Sequence, residues 1–377
     1  METISRFFKA EKQSFFLLGP RGTGKSTFIK DAYPDSLYVD LLLPDVFRNY
    51  TARPERLFET VHAQKNKKTV VIDEIQKAPH LLEVVHSLIE EKLGLQFILT
   101  GSSARKLRKT GVNLLAGRAL MKRMHPFMAA ELGSKFNLGK ALHTGLIPVI
   151  MSSEEPVSAL KAYVDLYIRE EVQMEGLTRN IGNFSRFLDA VSFSHASVLN
   201  ISNVARECQI ERKVVEGYVN ILEDLLLAFR IPVFTKRAKR STASHPKFYF
   251  FDAGIYGILR PSGPLDRPEE KAGAALEGLV AQHLRAWIDY RNPGCRLSYW
   301  RTSAGSEVDF VVYGKDMFWA IEVKNASTIH PQDLRALKTF GLDYPQAKRV
   351  LVYRGKEKLK REGINIEPCN EFLLGLK

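Results

Sequence analysis

The chain has 377 residues, too many for one ordinary core, so we expect two to four domains; its 45% hydrophobic and 26% charged residues exclude a disordered protein. Lys and Arg outnumber Asp and Glu by 55 to 42, and this net charge of +13 favours a polyanionic partner, nucleic acid before an anionic membrane, although a basic protein without such a partner stays open. Three widely spaced cysteines exclude a disulfide framework and a zinc site, and no apolar run reaches about 18 residues, so we expect a cytoplasmic protein with no membrane partner.

The first motif is a strand, a glycine-rich loop and a helix in the segment SFFLLGPRGTGKSTFIKDAY. Its loop fits the pattern G-x-x-x-x-G-K-[ST], in which backbone amides and the helix N-terminus bind phosphate oxygens, and glycines keep side chains out of the way. We expect Lys25 to reach the β and γ phosphates and the Ser26 hydroxyl to ligate Mg²⁺. The predicted ATP-binding residues of the loop are Gly19, Pro20, Arg21, Gly22, Thr23, Gly24, Lys25, Ser26 and Thr27.

An acidic motif follows in KKTVVIDEIQKAP, where an apolar run leads to Asp73 and Glu74. Asp73 at the tip of a buried strand suits the metal shell, and Glu74 suits the polarisation of a water molecule that attacks the γ-phosphate. Two acidic residues in this place could instead cap the next helix. Beside the glycine-rich loop, ATP hydrolysis with Lys25 and Glu74 as catalytic residues is the better interpretation.

Two further features of this region point to the phosphate site. Thr100 and Ser102 end the predicted strand LQFILTGSS, where a γ-phosphate sensor would lie, although a plain turn is the competing interpretation. In NLLAGRALMKRMHPF, Arg118 is predicted at the start of another strand. There it could act as a catalytic arginine finger in a neighbouring subunit's site, or form only a surface salt bridge.

The glycine-rich loop, VVIDEIQ, LTGSS and LLAGR, in this order and spacing, resemble the AAA-type ATPases of the AAA_14 family, which usually carry a C-terminal domain of the DUF4143 type. YWRTSAGSEVDFVV and IEVKN resemble the usual C-terminal signature, so the likeness covers essentially the whole chain. It implies ATP as cofactor, a small helical lid that follows His125-Pro126 and runs to about Gly176, and a homo-oligomeric ring, with a hexamer as the expected form.

From about Asn180 the pattern changes to a winged helix. A short helix from Ser202 to Cys208, a tight turn and a second helix from Glu211 predict a helix-turn-helix, and two strands flanking a basic loop predict the wing. The second helix mixes basic and acidic side chains, so the wing is the better candidate for phosphate contact. The alternative is a module that only packs against protein. The predicted DNA-binding residues are Arg212, Lys213, Lys236, Arg237, Lys239 and Arg240.

After Pro264 the pattern predicts a helix, three strands, a helix and a strand. This order matches the core of PD-(D/E)xK nucleases. Asp309 lies on one predicted strand, while Glu322 and Lys324 lie two residues apart on the next and therefore share a face. Charges inside apolar strands are costly unless they are paired or bind an ion.

These charged residues predict a metal site for phosphodiester cleavage. Glu277, Asp309 and Glu322 would hold Mg²⁺ or Mn²⁺, since oxygen ligands suit hard cations, and Glu307 would be an extra ligand or a rim residue. Asp309, Glu322 and Lys324 would be the catalytic residues, with Lys324 stabilising charge on the nucleophile or phosphate. The alternative is a dry ion pair of Asp309 with Lys324 in a nuclease-like fold without activity.

These motifs together predict an α/β chain with four parts: residues 1–128 as a P-loop ATPase core, 129–180 as a helical lid, 181–262 as a winged helix and 263–377 as a PD-(D/E)xK nuclease-like domain. The predicted function is ATP-driven binding, remodelling and metal-dependent cleavage of DNA. Branched DNA such as a Holliday junction is the expected substrate by fold analogy. The alternatives are a nucleotide-controlled switch or scaffold that does not cut, and a defence nuclease against invading DNA.

Overall fold

The computed structural model describes residues 4–103, 115–168, 181–235, 245–264 and 266–377. They divide into two compact units. The N-terminal unit is formed by Phe8–His125 and Asp224–Leu227, and the C-terminal unit by the residues up to Phe7, Pro126–Glu223 and Ala228–Lys377.

The N-terminal unit is built on a five-stranded sheet in which every pair of neighbouring strands is parallel. Its strands are β1 (Phe15–Leu18), β2 (Leu37–Asp40), β3 (Thr69–Asp73), β4 (Gln96–Gly101) and β5 (Leu120–Arg123). The helices are α1 (Lys25–Ala32), α2 (Pro44–Ala52), α3 (Arg56–Ala63) and α4 (Leu81–Glu90), with a 3₁₀ turn at Ile75–Lys77. Strands β1, β3 and β4 are almost continuously buried, which is typical of parallel strands covered on both faces.

The strand order of this sheet is β2-β3-β4-β1-β5, so β4 lies between the strand before the glycine-rich loop and the strand before the acidic pair. In open parallel sheets, ligands bind outside the carboxyl ends of the strands. The order therefore brings the carboxyl ends of β1, β4 and β3 side by side at one edge of the sheet.

The C-terminal unit begins with short helices, in the region where the sequence predicts helix. They are α5 (Ala129–Leu132), α6 (Leu138–Thr144), α7 (Pro148–Met151) and α8 (Pro156–Ala162), with a 3₁₀ turn at Gly133–Lys135 and a π-helical segment at Tyr163–Ile168. Local chemistry sets their starts: the Asn137 side chain accepts a hydrogen bond from Lys140 N at the start of α6, and prolines open α7 and α8.

The middle of the C-terminal unit contains three helices and a small antiparallel sheet ordered β6-β8-β7. Asn200 caps the second of these helices, and Gln209 ends it in the left-handed conformation, one residue beyond the predicted Cys208. The elements, in chain order, are α9 (Ile181–Ser192), β6 (Ser197–Val198), α10 (Ile201–Cys208), α11 (Arg212–Asp224), β7 (Ala228–Ile231) and β8 (Lys247–Phe250).

A mixed six-stranded sheet with order β13-β14-β12-β11-β10-β9 completes the C-terminal unit. Its elements are α12 (Ala253–Leu259), α13 (Pro268–Arg291), β9 (Arg296–Arg301), β10 (Glu307–Gly314), β11 (Met317–Lys324), a 3₁₀ turn (Pro331–Leu334), α14 (Arg335–Asp343), β12 (Lys348–Tyr353), β13 (Leu359–Arg361), β14 (Ile364–Pro368) and α15 (Cys369–Gly375). The predicted order of helix, three strands, helix and strand is present, and β13, β14 and α15 extend it.

One core cluster of the C-terminal unit crosses the predicted domain boundaries. Ala129 of α5, Phe229 of β7 and Tyr249 of β8 belong to the same buried cluster as Leu279 of α13 and Phe310 of β10. The predicted lid, winged helix and nuclease-like domain therefore share apolar packing, and the four-part division stays a prediction.

Strand β10 is irregular around Asp309, one of the predicted metal ligands. Its pairing with β9 shifts register between Val308 and Val311, which is a β-bulge. Val308 and Val311 pack in one core cluster, whereas Phe310 packs in the other. Bulges re-aim side chains, and Asp309 lies in this one.

Candidate functional site

The glycine-rich loop forms a tight turn between β1 and α1. Gly22 and Gly24 have φ values of 79° and 89°, a region that favours glycine. Gly19 packs against the carbonyl oxygen of Met124 so closely that a Cβ atom would collide with it. All the predicted ATP-binding residues from Gly19 to Thr27 lie in this turn or in the first turn of α1.

Lys25 is buried inside the loop that precedes it. Its Nζ donates hydrogen bonds to Gly19 O at 2.7 Å and to Pro20 O at 3.2 Å. Thr23 Oγ1 donates to the same Pro20 carbonyl at 2.8 Å. The ammonium therefore lies where the loop closes, at the N-terminus of α1, which is an arrangement suited to phosphate.

Asp73 ends β3 almost fully buried, with hydroxyl groups on both oxygens. Tyr38 OH donates to Asp73 Oδ2 at 2.5 Å, and Thr100 Oγ1 donates to Asp73 Oδ1. Burial is the main cause that raises the pKa of Tyr38, and the neighbouring Asp73 is the second. The Ser26 side chain opposes this rise. Tyr38 thus bonds to Asp73 and lies close enough to Ser26, the other predicted Mg²⁺ ligand, for the serine to influence the pKa of the tyrosine. A hydroxyl and a carboxylate are donors that suit Mg²⁺, so these residues fit the predicted ion.

Glu74 follows Asp73 in a left-handed backbone conformation, with φ 63° and ψ 45°. This conformation is uncommon for a residue other than glycine. Its amide donates to Thr100 Oγ1 at 3.0 Å, and its carboxylate accepts a hydrogen bond from Gln76 Nε2. The same Gln76 nitrogen donates to Ser102 Oγ at 2.9 Å.

The structure therefore brings five predicted residues, Lys25, Ser26, Asp73, Glu74 and Thr100, to the carboxyl edge of one sheet, with Ser102 beside them. Sequence reasoning did not assign Tyr38 or Gln76. Gln76 is a polar residue two positions after the acidic pair, and this was the available signal. Tyr38 lies on β2, a strand for which the motifs gave no role.

Arg118 lies two residues before β5, which begins at Leu120 rather than at Arg118 as the sequence suggested. Its Nε is 2.6 Å from Glu90 Oε1, and both side chains are partly exposed. A hydrogen bond from Arg118 lowers the pKa of Glu90. The surface salt bridge is thus present, and the arginine finger stays a prediction.

The predicted DNA-binding residues fall into two groups. Arg212 and Lys213 are exposed in the first turn of α11, and Arg212 Nε pairs with Glu216 Oε1 at 3.1 Å. The basic residues of the predicted wing lie outside the described residues: Lys236, Arg237, Lys239 and Arg240.

In the C-terminal unit, three carboxylates surround an ammonium that the sequence analysis did not assign. Lys247 Nζ of β8 lies 3.0 Å from Glu277 Oε1, 2.5 Å from Glu307 Oε1 and 3.3 Å from Asp309 Oδ1. The Lys247 side chain is only 2% exposed. Tyr249, two residues along the same strand, donates its hydroxyl to Glu277 Oε1 at 2.7 Å.

Glu322, the remaining predicted metal ligand, pairs with a different lysine, Lys324. Lys324 Nζ donates to Glu322 Oε1 at 2.7 Å, so these two side chains share a face of β11. Within the described part of the chain, Glu322 Oε2 is buried and has no hydrogen-bond partner. Asp309 Oδ2 accepts from the backbone of Val323 at 2.8 Å.

Burial and mutual repulsion set the charges of this cluster. Burial is the larger cause that raises the pKa of both Glu277 and Glu322, and the negative charge of Asp309 is the second. Burial alone would lower the pKa of Lys247, but the nearby acidic groups, Glu277 foremost, hold it well above its usual value. The surrounding carboxylates therefore stabilise the protonated form of Lys247 at the centre of the cluster.

In this arrangement lysine ammonium groups, and not an open metal site, contact the predicted metal ligands Glu277, Asp309 and Glu322, whose role as ligands stays a prediction. Glu277 and Asp309 converge on the Lys247 ammonium, and Glu322 is paired with Lys324. Across the residues that the structure describes, no group of three or more His, Cys, Asp or Glu side chains could hold a metal ion. The alternative interpretation paired Asp309 with Lys324; in the structure Lys247 contacts Asp309, and Lys324 contacts Glu322.

Three family models match successive parts of the chain. They are an AAA domain, AAA_14, at residues 11–133, a domain of unknown function, DUF8612, at 135–266, and a domain of unknown function, DUF4143, at 272–372. The first and last are the two domains of the resemblance in the sequence motifs, and the middle model spans the region predicted as lid and winged helix. No curated protein matches the chain.

Several solved structures show a weak likeness. The replication initiator DnaA bound to AMPPCP and single-stranded DNA has a TM-score of 0.28 and 14% identity, over 57% of this chain and 83% of that chain. AMPPCP-bound DnaA from Aquifex aeolicus has a TM-score of 0.27 and 12% identity, over 56% of this chain and 81% of that chain. Pif1 helicase from Candida albicans has a TM-score of 0.20 and 14% identity, over 40% of this chain and 43% of that chain.

Replacing Lys247 with methionine tests whether its ammonium holds the carboxylate cluster together. We expect Lys247→Met to lower the free energy of unfolding by about 3–5 kcal/mol, because Glu277, Glu307 and Asp309 lose their shared cation. Urea unfolding followed by circular dichroism measures the loss, with the exposed turn variant Lys315→Met as a control. A Lys247→Met protein as stable as the control would contradict the central role of this ammonium.

Proposed function

This chain belongs to the family of AAA-type ATPases that joins an AAA_14 domain to a DUF4143 domain, and we propose that it couples ATP hydrolysis to work on DNA. The observation that carries the ATPase part is the meeting of the glycine-rich loop, Asp73, Glu74 and Thr100 at one sheet edge. The DNA part rests on the net charge of +13 and on the element order around α10 and α11.

In the proposed reaction, the loop amides and Lys25 bind the β and γ phosphates of ATP. Ser26 and Asp73 would hold Mg²⁺, which supplies charge neutralisation on the phosphates. Glu74 orients a water molecule and accepts its proton as the water oxygen bonds to the γ-phosphorus and the bond to ADP breaks. Thr100 and Ser102, at the end of β4, contact the γ-phosphate.

Lys25→Ala tests the assignment of the loop. We expect turnover of ATP to fall about 100-fold or more, because the ammonium that stabilises charge on the transferred phosphate is lost. Phosphate release measures turnover, and circular dichroism checks that the fold is kept. Lys12→Ala, at an exposed lysine before β1, is the matched control. If Lys25→Ala hydrolyses ATP as fast as Lys12→Ala, the loop has been misassigned.

We propose that the chain forms a homo-oligomeric ring, a hexamer by family resemblance, in which Arg118 completes the ATP site of a neighbour. Arg118 is partly exposed, and within the described residues it forms an ion pair with the surface residue Glu90. Such a pair is worth little in water, so the guanidinium can exchange partners at a subunit interface.

Arg118→Ala should lower kcat for ATP about 1,000-fold while ATP affinity stays unchanged, because a finger acts on the transition state. Mixing Arg118→Ala with Lys25→Ala subunits should restore turnover, since each supplies what the other lacks. Glu90→Gln is the control, because it breaks the same ion pair and leaves the arginine. A mixture as inactive as its components, or equal losses in Arg118→Ala and Glu90→Gln, would reject a finger acting between subunits.

We propose that α9 to β8 form a winged helix that contacts DNA phosphates. Support comes from the helix-turn-helix at α10 and α11, the antiparallel sheet β6-β8-β7 and the exposed Arg212 and Lys213. The basic segment between β7 and β8, from Lys236 to Arg240, would be the wing.

For the carboxylate cluster we propose a role without cleavage, in which the nuclease-like domain grips DNA or a protein under the control of ATP. The carrying observation is the central position of Lys247, the place that a catalytic cation would need. Metal-dependent cleavage, of branched DNA such as a Holliday junction, is the second candidate. It is favoured by the gathering of Glu277, Asp309 and Glu322 and by the buried, unpartnered Oε2 of Glu322.

Incubating the protein with linear, forked and four-way DNA, with and without ATP and Mn²⁺, separates these functions. We expect DNA to raise ATP turnover, DNA affinity to fall steeply with salt because phosphate contacts release counterions, and no cleavage products to form. Gel analysis detects products and fluorescence anisotropy measures affinity. Mn²⁺-dependent products that disappear in Asp309→Ala would establish the nuclease instead. If DNA neither binds nor changes turnover, the proposed work on DNA is wrong.

A further inference from the structure

Gln76 occupies a central position behind the predicted catalytic carboxylate of the N-terminal unit. Its side chain is buried between the end of β3 and the end of β4. Both hydrogen bonds of its amide nitrogen go to functional residues, one to Glu74 Oε2 and one, at 2.9 Å, to Ser102 Oγ. The amide therefore connects the residue that activates water with a residue at the predicted γ-phosphate contact.

The orientation of this amide is set by Glu74. Within the described residues, Gln76 Oε1 is buried without a hydrogen-bond partner, and it packs so close to Gly101 that a Cβ there would lie 2.7 Å from it. The opposite orientation could give this oxygen the Ser102 hydroxyl as a donor. It would also place a carbonyl oxygen against a carboxylate oxygen, which is repulsive. The observed orientation therefore keeps both hydrogen bonds of the Gln76 nitrogen and leaves its oxygen without a donor, which indicates that the donated bonds are the ones that matter.

The same set of contacts fixes Glu74 from its backbone. Glu74 has the left-handed conformation, and its amide donates to Thr100 Oγ1 at 3.0 Å. The β4 end that carries Thr100 and Ser102 also contacts the phosphate loop, since Gly19 N donates to Gly101 O at 3.2 Å. Backbone and side chain of Glu74 are thus both tied to the polar end of β4.

We propose that Gln76 is a positioning residue for ATP hydrolysis, which holds the Glu74 carboxylate by hydrogen bonding and couples its orientation to Ser102. The proposal rests on the ATPase function of the chain. Contact of the γ-phosphate with Ser102 then orders the amide, and the amide orders the carboxylate that accepts the proton of the attacking water. Misplacement of such a group affects the chemical step more than the binding of ATP.

Gln76→Met is the discriminating variant, because methionine has a similar volume and length but no donor. We expect kcat for ATP to fall about 10- to 100-fold with KM and ATP affinity unchanged. We expect the melting temperature to stay the same or rise, since the unsatisfied buried oxygen is removed. Gln13→Ala, at an exposed glutamine before β1, is the control. A lowered melting temperature with kcat retained would assign Gln76 a packing role and overturn the proposal, as would a kcat equal to that of the control.

A double-mutant cycle tests the link to Ser102. If Gln76 acts by connecting Ser102 to Glu74, Gln76→Met and Ser102→Ala should be non-additive, and the double variant should be about as slow as the slower single variant. Gln76→Met combined with Gln13→Ala should show additive effects. If the fold-losses in kcat of Gln76→Met and Ser102→Ala multiply in the double variant, the two residues act independently and the coupling is overturned. An inactive natural protein would overturn the ATPase function itself, and with it this role, whereas an active protein with an unaffected Gln76→Met variant overturns the role of Gln76 alone.

Discussion

A charge that is buried in a protein interior needs a partner close by, and this constraint organises both candidate sites. Asp73 accepts hydrogen bonds from Tyr38 and Thr100, which lie on the two strands that flank β3. Glu277 of α13 and Asp309 of β10 share the ammonium of Lys247 on β8. In each case the compensation comes from a different element, so the charges also fix how the elements of that unit pack.

In the N-terminal unit, the place of β4 in the sheet decides the chemistry. Because β4 separates β1 from β3, its polar end, Thr100 to Ser102, lies between the phosphate loop and the acidic pair. Side chains at that end bond to Asp73, to the Glu74 amide and to Gln76. In the proposed reaction, a change at the γ-phosphate would reach the Glu74 carboxylate through the hydrogen bonds of Ser102 and Gln76, without movement of a whole domain.

The C-terminal unit is more continuous than a set of linked modules. Helix α13 is buried on most of its surface, and its residues pack with α5, β7, β8 and the six-stranded sheet in one cluster. The ion pairs of Lys247 cross the same boundary between the small sheet and α13. The predicted winged helix and nuclease-like domain are thus joined by both apolar contacts and buried charge.

The sequence by itself determined the local elements and the family. Motifs of adjacent residues, such as the loop from Gly19 to Ser26 and the acidic pair Asp73 and Glu74, predicted the AAA-type ATPase, and the family models confirm it. Residues that act across long separations were not predictable in this way. The pattern of Glu277, Asp309 and Glu322 suits a metal ion or an ammonium equally, and only the tertiary structure places Lys247 among them, because the pairing of β8 against α13 and β10 is set by packing between distant segments. Tyr38 and Gln76 were missed for the same reason: a hydrogen bond depends on which strands are neighbours, and strand order is a property of the folded sheet.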